Sequence, residues 1–301
     1  MDPIVIVTNK TALEKMKKFY DSQMINSNES NIIFTAKTVG CHIVCYENLH
    51  VEFAGTNAFN EASRWKKIDN PHKHKEIDHD GIFLESHIGA MEVGSTDYFG
   101  PMCVVSCYVD ERDVDWLKSL NIRQPQLLTD QEIVEKAKAI KDRIIYSLLL
   151  LDNAHYNNAI YHGTNQATLK AQLHNQAITN VMQKLQQPVD TKVIEQFVSS
   201  KTYFNYLKNE VVVVKDLVFE ENASYKYLAV SCSYILAKYA YLQYYTNMCK
   251  SLKIKLPRGV GANVDVVGAQ IIKNFGEKIL VKIGKLHLTN TKRMKDLANK
   301  E

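Results

Sequence analysis

The residues of this chain that could do chemistry are concentrated in the block 88–101. Glu92 is followed by Gly94, and Asp97 by Gly100, around a predicted tight reversal of the chain. Glycine at a strand end lets a ligand or another backbone come close. A carboxylate beside such a turn can bind a metal ion or transfer a proton. The block by itself therefore predicts a metal or proton-transfer site, and the alternative is a plain hairpin with a buried acid.

Two strands are expected to position this block. Residues 81–88 indicate the approach to one strand, and residues 102–109 form an apolar, β-branched run that is typical of the next. The glycines between them favour a turn. We therefore expect a hairpin that holds Glu92 close to its turn.

The same block resembles the signature of ribonuclease HIII, a type 2 ribonuclease H. Residues 92–101 read Glu-Val-Gly-Ser-Thr-Asp-Tyr-Phe-Gly-Pro, where the family has Glu-(Val/Ala)-Gly-x-Gly-Asp-Tyr-Phe-Gly-Pro after an aspartate. The run 46–55 resembles the family more weakly. Segments of the second half match it closely, namely 169–178, 229–242, 256–265 and 285–291. The resemblance therefore spans almost the whole chain.

Residues 1–66 predict a small α+β domain. The pattern indicates a strand, a helix over 11–24, three further strands and a closing helix. Thr11 is expected to cap the first helix together with Glu14. The resemblance implies that this domain is similar to the TATA-box-binding-protein fold and that it grips the hybrid duplex.

Residues 67–85 are polar and charged, without an apolar period, and predict a linker. His72, His74 and His79 could bind a metal there, but a solvated linker is the simpler interpretation. Residues 86–301 alternate between strand and helix patterns, which predicts an α/β domain with a mixed sheet. The resemblance implies that this domain is of the ribonuclease H type.

Several element predictions in this second domain are specific enough to test. Thr129 is expected to cap a helix that begins there. Residues 144–151 are expected to form a buried strand, and residues 210–219 a further strand. Long helices are expected over 165–185, 227–250 and 264–275.

The resemblance also implies a reaction. Cleavage of a phosphodiester beside a ribonucleotide needs an activated water and a stabilised leaving oxygen, which two divalent ions about 4 Å apart can supply. Mg²⁺ or Mn²⁺ at such a site takes oxygen ligands, and ribonuclease HIII uses four acids in the order Asp, Glu, Asp, Glu. The resemblance places Met91, Glu92, Glu195 and Ser224 at these four positions. Two of the four carboxylates are therefore replaced.

Glu92 and Glu195 remain as the expected catalytic and metal-binding residues, with Mg²⁺ or Mn²⁺ if the chain is active and no metal if it is not. Glu195 is one methylene longer than the aspartate of the family, and a displacement of about 1 Å can cost on the order of 100-fold in rate. Glu220 and Glu221 lie nearby in the sequence and could replace a lost acid. A surface pair at a strand end is the simpler interpretation of those two residues.

Contacts to nucleic acid are expected to be altered as well. The resemblance implies Gly94, Ser95, Thr96 and Arg258 as nucleic-acid-binding residues. Thr96 replaces a glycine that lets the backbone approach the 2′-hydroxyl of RNA, and a β-branched residue resists positive φ and crowds that approach. The phosphate-contacting Asp-Ser-Lys of the family is Gln-Pro-Gln here, at 124–126.

Composition excludes several classes of protein. The chain has 301 residues, 46% of them hydrophobic and 23% charged. It lacks an apolar run of about 18 residues and the layout of a signal peptide, so we expect a cytoplasmic protein without a membrane partner. We also expect a monomer. Its six cysteines are expected to be reduced core thiols rather than a metal site. Residues 251–301 carry eleven Lys or Arg against four acids, and this basic end either holds phosphates or is a solvated helical surface.

Three hypotheses follow from these residues. The first is a ribonuclease HIII homologue that binds RNA–DNA hybrid or other duplex but has lost most or all of its cleavage activity. The second is an active nuclease that uses Glu92, Glu195 and either Glu220 or Glu221 around one metal ion. The third is a protein-interaction module that reuses the fold.

Overall fold

The computed structural model describes residues 3–27, 30–66, 77–185 and 187–299, and the chain forms two compact units, 1–74 and 75–301. The elements of the first unit are β1 (Ile4–Val7), α1 (Lys10–Tyr20), β2 (Met24–Ile25), β3 (Ile32–Thr38), β4 (Cys41–Tyr46), β5 (His50–Ala54) and α2 (Ala58–Ser63). Those of the second unit are β6 (His87–Val93), β7 (Met102–Val109), α3 (Val114–Ser119), α4 (Asp130–Lys141), β8 (Ile145–Leu151), α5 (Asn153–Tyr161), α6 (Gln166–Lys184), β9 (Thr191–Glu195), α7 (Ser200–Tyr206), β10 (Val218–Glu220), α8 (Leu228–Leu252), α9 (Ala262–Phe275), α10 (Leu280–Ile283) and α11 (Asn290–Ala298).

The first unit is one antiparallel sheet in the order β1-β5-β4-β3-β2, with α1 and α2 packed on its apolar face. Alternate residues of β4, such as Ile43, are buried against those helices. The predicted α+β class is confirmed. The predicted cap is wrong, because Asn9 rather than Thr11 caps α1, accepting a hydrogen bond of 2.9 Å from the backbone N–H of Ala12.

The second unit is built on a mixed sheet in the order β10-β9-β6-β7-β8, as predicted. Strands β6, β9 and β10 are parallel, whereas β7 and β8 are antiparallel to their neighbours. Alternate residues of β7 pack against α8 on one face and against α6 on the other. A Cβ atom at Gly89 would lie 2.4 Å from the backbone nitrogen of Val230, so only glycine allows α8 to approach β6 this closely.

Two strand predictions need correction. β8 is an edge strand, and Ile145, Leu148 and Leu150 are about 40% exposed, so the expectation of a buried strand is wrong. Within 210–219 only the last two residues belong to a strand, β10, and the predicted long strand is absent. The hairpin of β6 and β7 and the Thr129 cap of α4 are confirmed, and the structure adds that Thr129 forms a capping box with Glu132.

The predicted linker lies partly outside the described residues, since 67–76 are not described. Residues 77–85 belong to the second unit, where Ile77 pairs with Phe83 and the Phe83 side chain is fully buried. His79 is exposed, and His72 and His74 lie outside the described residues. Among the helices of the described ranges, none has the length and apolar character needed to cross a bilayer.

Candidate functional site

The candidate site lies where three parallel strands end side by side. Met91 and Glu92 are near the end of β6, and Glu195 ends β9, its neighbour. Glu220 ends β10 and is in register with Glu195. Because the carboxyl ends of parallel strands meet at one edge of a sheet, these residues are brought together although they are far apart in the sequence.

Met91 and Glu92 point to opposite faces of the sheet, as successive residues of a strand must. Met91 packs in an apolar cluster with Phe83 and Tyr227, on the side of α8. Glu92 faces α6, where it meets Lys170 and His174. The position at which the resemblance places the first acid is therefore part of a hydrophobic contact in this chain.

Both oxygens of Glu92 are bound by nitrogen donors from α6. The Lys170 ammonium forms an ion pair with Oε1, and His174 Nε2 lies 2.8 Å from Oε2. Glu92 is 10% exposed, and burial alone would raise its pKa. The hydrogen bond and charge of His174, together with Lys170, outweigh burial and lower the pKa of Glu92 to about 2. The carboxylate is therefore ionised and already neutralised by side chains of the protein itself.

Lys170 and His174 are four residues apart on α6, which places them on the same face of the helix. The Phe197 ring covers both, with the Lys170 ammonium 4.0 Å from its centroid and the His174 ring 5.5 Å away. His174 is completely buried, and its Nδ1 has no hydrogen-bond partner among the described residues. Sequence reasoning missed these two residues as parts of the site. The available signal was a Lys and a His, four residues apart, in an otherwise apolar helical stripe.

Glu195 has a different environment from Glu92. Its Oε1 accepts a hydrogen bond of 2.7 Å from the backbone N–H of Asn222, whereas its Oε2 is buried without a partner among the described residues. Burial raises the pKa of Glu195, and the charge of Glu92 raises it further against the lowering effect of the backbone N–H groups. One carboxylate oxygen at this edge therefore remains uncommitted.

Ser224, at the fourth position, lies in a 3₁₀ turn over Ala223–Tyr225 and is 1% exposed. Its hydroxyl is 3.2 Å from Nε2 of Gln126. By the resemblance, the family has a glutamate at Ser224 and the lysine of Asp-Ser-Lys at Gln126. Two positions expected to be charged are therefore both neutral here, and their side chains hydrogen-bond to each other.

The two candidate replacement acids are placed less favourably. Glu220 pairs with Lys226, whose ammonium is 3.2 Å from both of its carboxylate oxygens. Glu221 is exposed in the turn that follows β10. The charge of Glu220 is therefore engaged in an ion pair with Lys226.

A pair of divalent ions does not fit this donor set. The oxygens of Glu92 are occupied by Lys170 and His174, and Oε2 of Glu195 is the carboxylate oxygen left over. A thioether at position 91 and a hydroxyl at position 224 do not supply the anionic oxygens that Mg²⁺ or Mn²⁺ requires. In the described part of the chain, the group of three or more potential metal ligands that lie close enough to share one ion is Asp78, His79 and Asp80, and Asp78 is already paired with Lys118.

The turn after β6 carries the predicted nucleic-acid contacts. Gly94 has φ +88°, and a Cβ atom there would lie 2.2 Å from the Pro101 carbonyl oxygen, so the turn requires glycine. The Ser95 carbonyl accepts a hydrogen bond from Gln166. Thr96 is exposed and, unlike Gly94, does not have a positive φ, so the anticipated backbone strain at Thr96 is absent.

Arg258 lies next to this turn on the loop before α9. Its guanidinium makes two hydrogen bonds to Asp130, of 3.1 and 2.5 Å, and lies over the Tyr245 ring. The two loops are joined because the Gly259 N–H donates to Asp97 Oδ1 at 2.6 Å. The structure therefore brings Arg258 close to the turn at Gly94, although its charge is shared with an acid.

The comparisons with known proteins agree with one another on the type of protein that this chain resembles. Residues 88–291 match the family model for ribonuclease HII, and residues 3–77 match a domain of unknown function, DUF3378. Ribonuclease HIII of Bacillus cereus (strain AH187) is 35% identical over 302 residues, which cover 96% of this chain and 97% of the relative. Ribonuclease HIII of Bacillus mycoides (strain KBAB4) is 36% identical, with 96% of each chain covered.

Solved structures agree with these sequence matches. The structure of Bst-RNase HIII in complex with Mn²⁺ has a TM-score of 0.71 and 27% identity, and the match covers 100% of both chains. Aquifex aeolicus RNase H3, at 18% identity and a TM-score of 0.58, shares the fold over 94% of this chain and 99% of that one.

Proposed function

The chain belongs to the ribonuclease HIII family, and from this premise we propose that it binds RNA–DNA hybrid or a related duplex, with its endonuclease activity lost or strongly reduced. The observation that carries the proposal is the occupation of both oxygens of Glu92 by Lys170 and His174. Carboxylate ligands at positions 91 and 224 would be needed to attract metal ions in spite of that pairing, and this chain has neither.

The chemistry of phosphodiester hydrolysis supports the loss of activity. Two ions would activate the water and stabilise the leaving oxygen, and each needs several oxygen ligands held in a fixed geometry. This chain offers one uncommitted carboxylate oxygen, on Glu195. We therefore expect the chemical step to fail for lack of metal, with the binding surface retained.

Retained binding is supported by the surface near the turn. Gly94 keeps the close backbone approach at the end of β6, and Arg258 is held next to it. Such contacts are to the phosphate backbone, which makes binding dependent on salt rather than on base sequence. Since the contacts that distinguish RNA are altered at Thr96, binding to other duplexes is part of the proposal.

A second candidate function rests on Oε2 of Glu195. This buried oxygen without a partner could bind a single ion, with Glu220 in register on the neighbouring strand. The relative Bst-RNase HIII has been solved with Mn²⁺. The chain would then be an active nuclease with one metal ion, provided that Glu220 leaves Lys226 and that Glu92 leaves its two partners.

One experiment decides between these functions. Hybrid cleavage and hybrid binding are measured with Mg²⁺ and with Mn²⁺, for the wild type and for the variant M91D/S224E. We expect wild-type binding without turnover in the ordinary range of about 1–10³ s⁻¹, and a gain of cleavage in the variant. Wild-type turnover in that range would establish the second candidate, whereas absence of binding to every duplex would favour a protein-interaction role.

The cellular setting is also a proposal. All six cysteines are free, and burial raises the pKa of Cys103 and Cys107 to about 12, so these thiols resist oxidation. Free thiols of this kind suit a reducing compartment. We place the protein in the cytoplasm, acting as a monomer.

A further inference from the structure

A second cation, Lys238, lies beside Arg258 on the surface next to the turn. Lys238 is on α8 and is partly buried, with its ammonium 5.4 Å from the centroid of the Tyr241 ring. Among the described residues, no carboxylate or carbonyl forms an ion pair or hydrogen bond with it. Partial burial removes hydration from this ammonium, and the Tyr241 ring supplies a cation–π contact but no hydrogen-bond acceptor in its place.

The charges around Lys238 come from three elements. Arg258 lowers the pKa of Lys238 in addition to the larger effect of burial, while Asp130 on α4 and Asp97 in the turn raise it. Asp130 binds Arg258 with both oxygens, and Asp97 Oδ1 accepts from the Gly259 N–H, while neither acid forms an ion pair with Lys238. An anion from outside the chain would therefore meet an unpaired cation here.

The site is continuous with the turn of the candidate functional site. Tyr241, one helical turn after Lys238, lies against Gly94 and Gly100, at which a Cβ atom would come within about 3 Å of its ring. The Tyr98 N–H donates to the Gly259 carbonyl at 2.9 Å, which fixes the loop of Arg258 to the same turn. Lys238 and Arg258 thus lie over two neighbouring rings, Tyr241 and Tyr245, which are stacked with their centroids 5.3 Å apart.

We propose that Lys238 and Arg258 together bind one backbone phosphate of a bound nucleic acid, and that Asp130 competes with this phosphate for Arg258. The inference rests on the proposed binding of nucleic acid and adds a residue to it. The chemistry suits a phosphodiester because lysine supplies a point charge and arginine two parallel N–H donors. The Asp130 carboxylate has the geometry of such an anion and holds Arg258 ready for exchange.

The first test is the salt dependence of hybrid binding, measured by fluorescence anisotropy without divalent ions. Lys238→Gln should weaken binding about tenfold and reduce the slope of log K against log salt by about one. Lys238→Arg should retain most of the affinity. Lys141→Gln is the matched control, since Lys141 is exposed and lies about 16 Å along α4 from Asp130. This variant should bind hybrid with the affinity of the wild type.

The second test uses a substitution that should strengthen binding rather than weaken it. Asp130→Asn keeps the shape of the side chain but releases the charge of Arg258, so binding should become several-fold tighter. Combining it with Arg258→Gln should abolish this gain, because Asp130 would then have no cation to withhold. Thermal unfolding of each variant separates loss of binding from loss of folding.

The outcomes distinguish this inference from the function on which it rests. If the wild type binds hybrid and Lys238→Gln binds equally well with the same salt slope, the phosphate site is wrong while hybrid binding stands. If Asp130→Asn weakens binding, the competition between Asp130 and phosphate is wrong. If no variant and no wild type binds any duplex, both the function and the site are overturned.

Discussion

Replacing Glu92 by Gln tests whether this carboxylate is a stabilising partner of Lys170 and His174. The change keeps the shape of the side chain and removes its charge, so the Lys170 ammonium, 14% exposed, loses its counter-ion. The lowering of the Glu92 pKa from its ordinary 4.5 to about 2 corresponds to about 3 kcal/mol of stability at neutral pH. We expect the variant to be less stable than the wild type by about that amount at pH 7.

The stabilisation by Glu92 should depend on pH, and its direction follows from the lowered pKa. Because the folded-state pKa is lowered, the stabilisation is complete above about pH 4.5 and is lost as the pH falls towards about 2. The wild type should lose its advantage by about 1.4 kcal/mol per pH unit in this window, so about 2 kcal/mol should remain at pH 3.5. Protonation of Glu92 then makes the wild type resemble the variant.

Urea denaturation followed by tryptophan fluorescence measures this difference. Trp65 lies in the first unit and Trp116 in the second, so a Trp65→Phe background makes the signal report the unit that contains Glu92. Glu135→Gln, at an exposed position on α4, is the matched control and should change stability by less than about 0.5 kcal/mol. The reasoning is refuted if the Glu92 variant loses less than about 1 kcal/mol at pH 7, or if the difference is the same at pH 7 and pH 3.5.

Three further predictions address the turn, the neutral pair and the metal. Gly94→Ala should destabilise the protein by more than about 2 kcal/mol in urea denaturation, because the Cβ atom would meet the Pro101 carbonyl at a positive φ; a loss within about 0.5 kcal/mol would contradict this. A double-mutant cycle of Ser224→Ala and Gln126→Ala should give a coupling of about 1 kcal/mol, and additivity would exclude the hydrogen bond. Titration calorimetry should detect no Mn²⁺ binding to the wild type and measurable binding to M91D/S224E, since added carboxylates supply the missing ligands; wild-type binding of two ions would refute the account of the site.

The replacements at the site are chemically consistent with one another. Ser224 and Gln126 stand at two positions where the resemblance implies charged residues, but both are neutral here, and their side chains hydrogen-bond to each other. Met91 likewise does not leave a polar gap, because it packs against Phe83 and Tyr227. Several polar groups at this edge of the sheet are therefore held by protein partners, whereas Oε2 of Glu195 is buried without one among the described residues.

Sequence patterns correctly predicted the secondary-structure elements that depend on residues close together in the sequence. The hairpin of β6 and β7 follows from β-branched runs around glycines, and the start of α4 follows from Thr129 and Glu132, which form a capping box. At α1 the predicted cap, Thr11, was wrong, because the helix begins one residue before Thr11 and Asn9 caps it.

Predictions failed where neighbours in space decide the outcome. An apolar run such as β8 indicates a strand but does not distinguish the edge of a sheet from its centre, since that depends on which strand lies next to it. Residues 211–214 are all valine, yet the backbone of Val212 and Val214 hydrogen-bonds to the Asn175 side chain rather than forming a strand. The second unit also contains α7 and α11, for which the sequence patterns gave no prediction.

By itself, the sequence determined which side chains stand at the positions that the resemblance assigns to acids: the thioether of Met91 and the hydroxyl of Ser224 are not carboxylates, whatever the fold. Only the tertiary structure decided what the remaining acids do. Lys170 and His174 are about 80 residues from Glu92, and the packing of α6 against β6 turns them onto its oxygens. The identity of a side chain fixes its chemistry, but its charge balance and its freedom to bind a metal depend on partners that folding brings within a few ångströms.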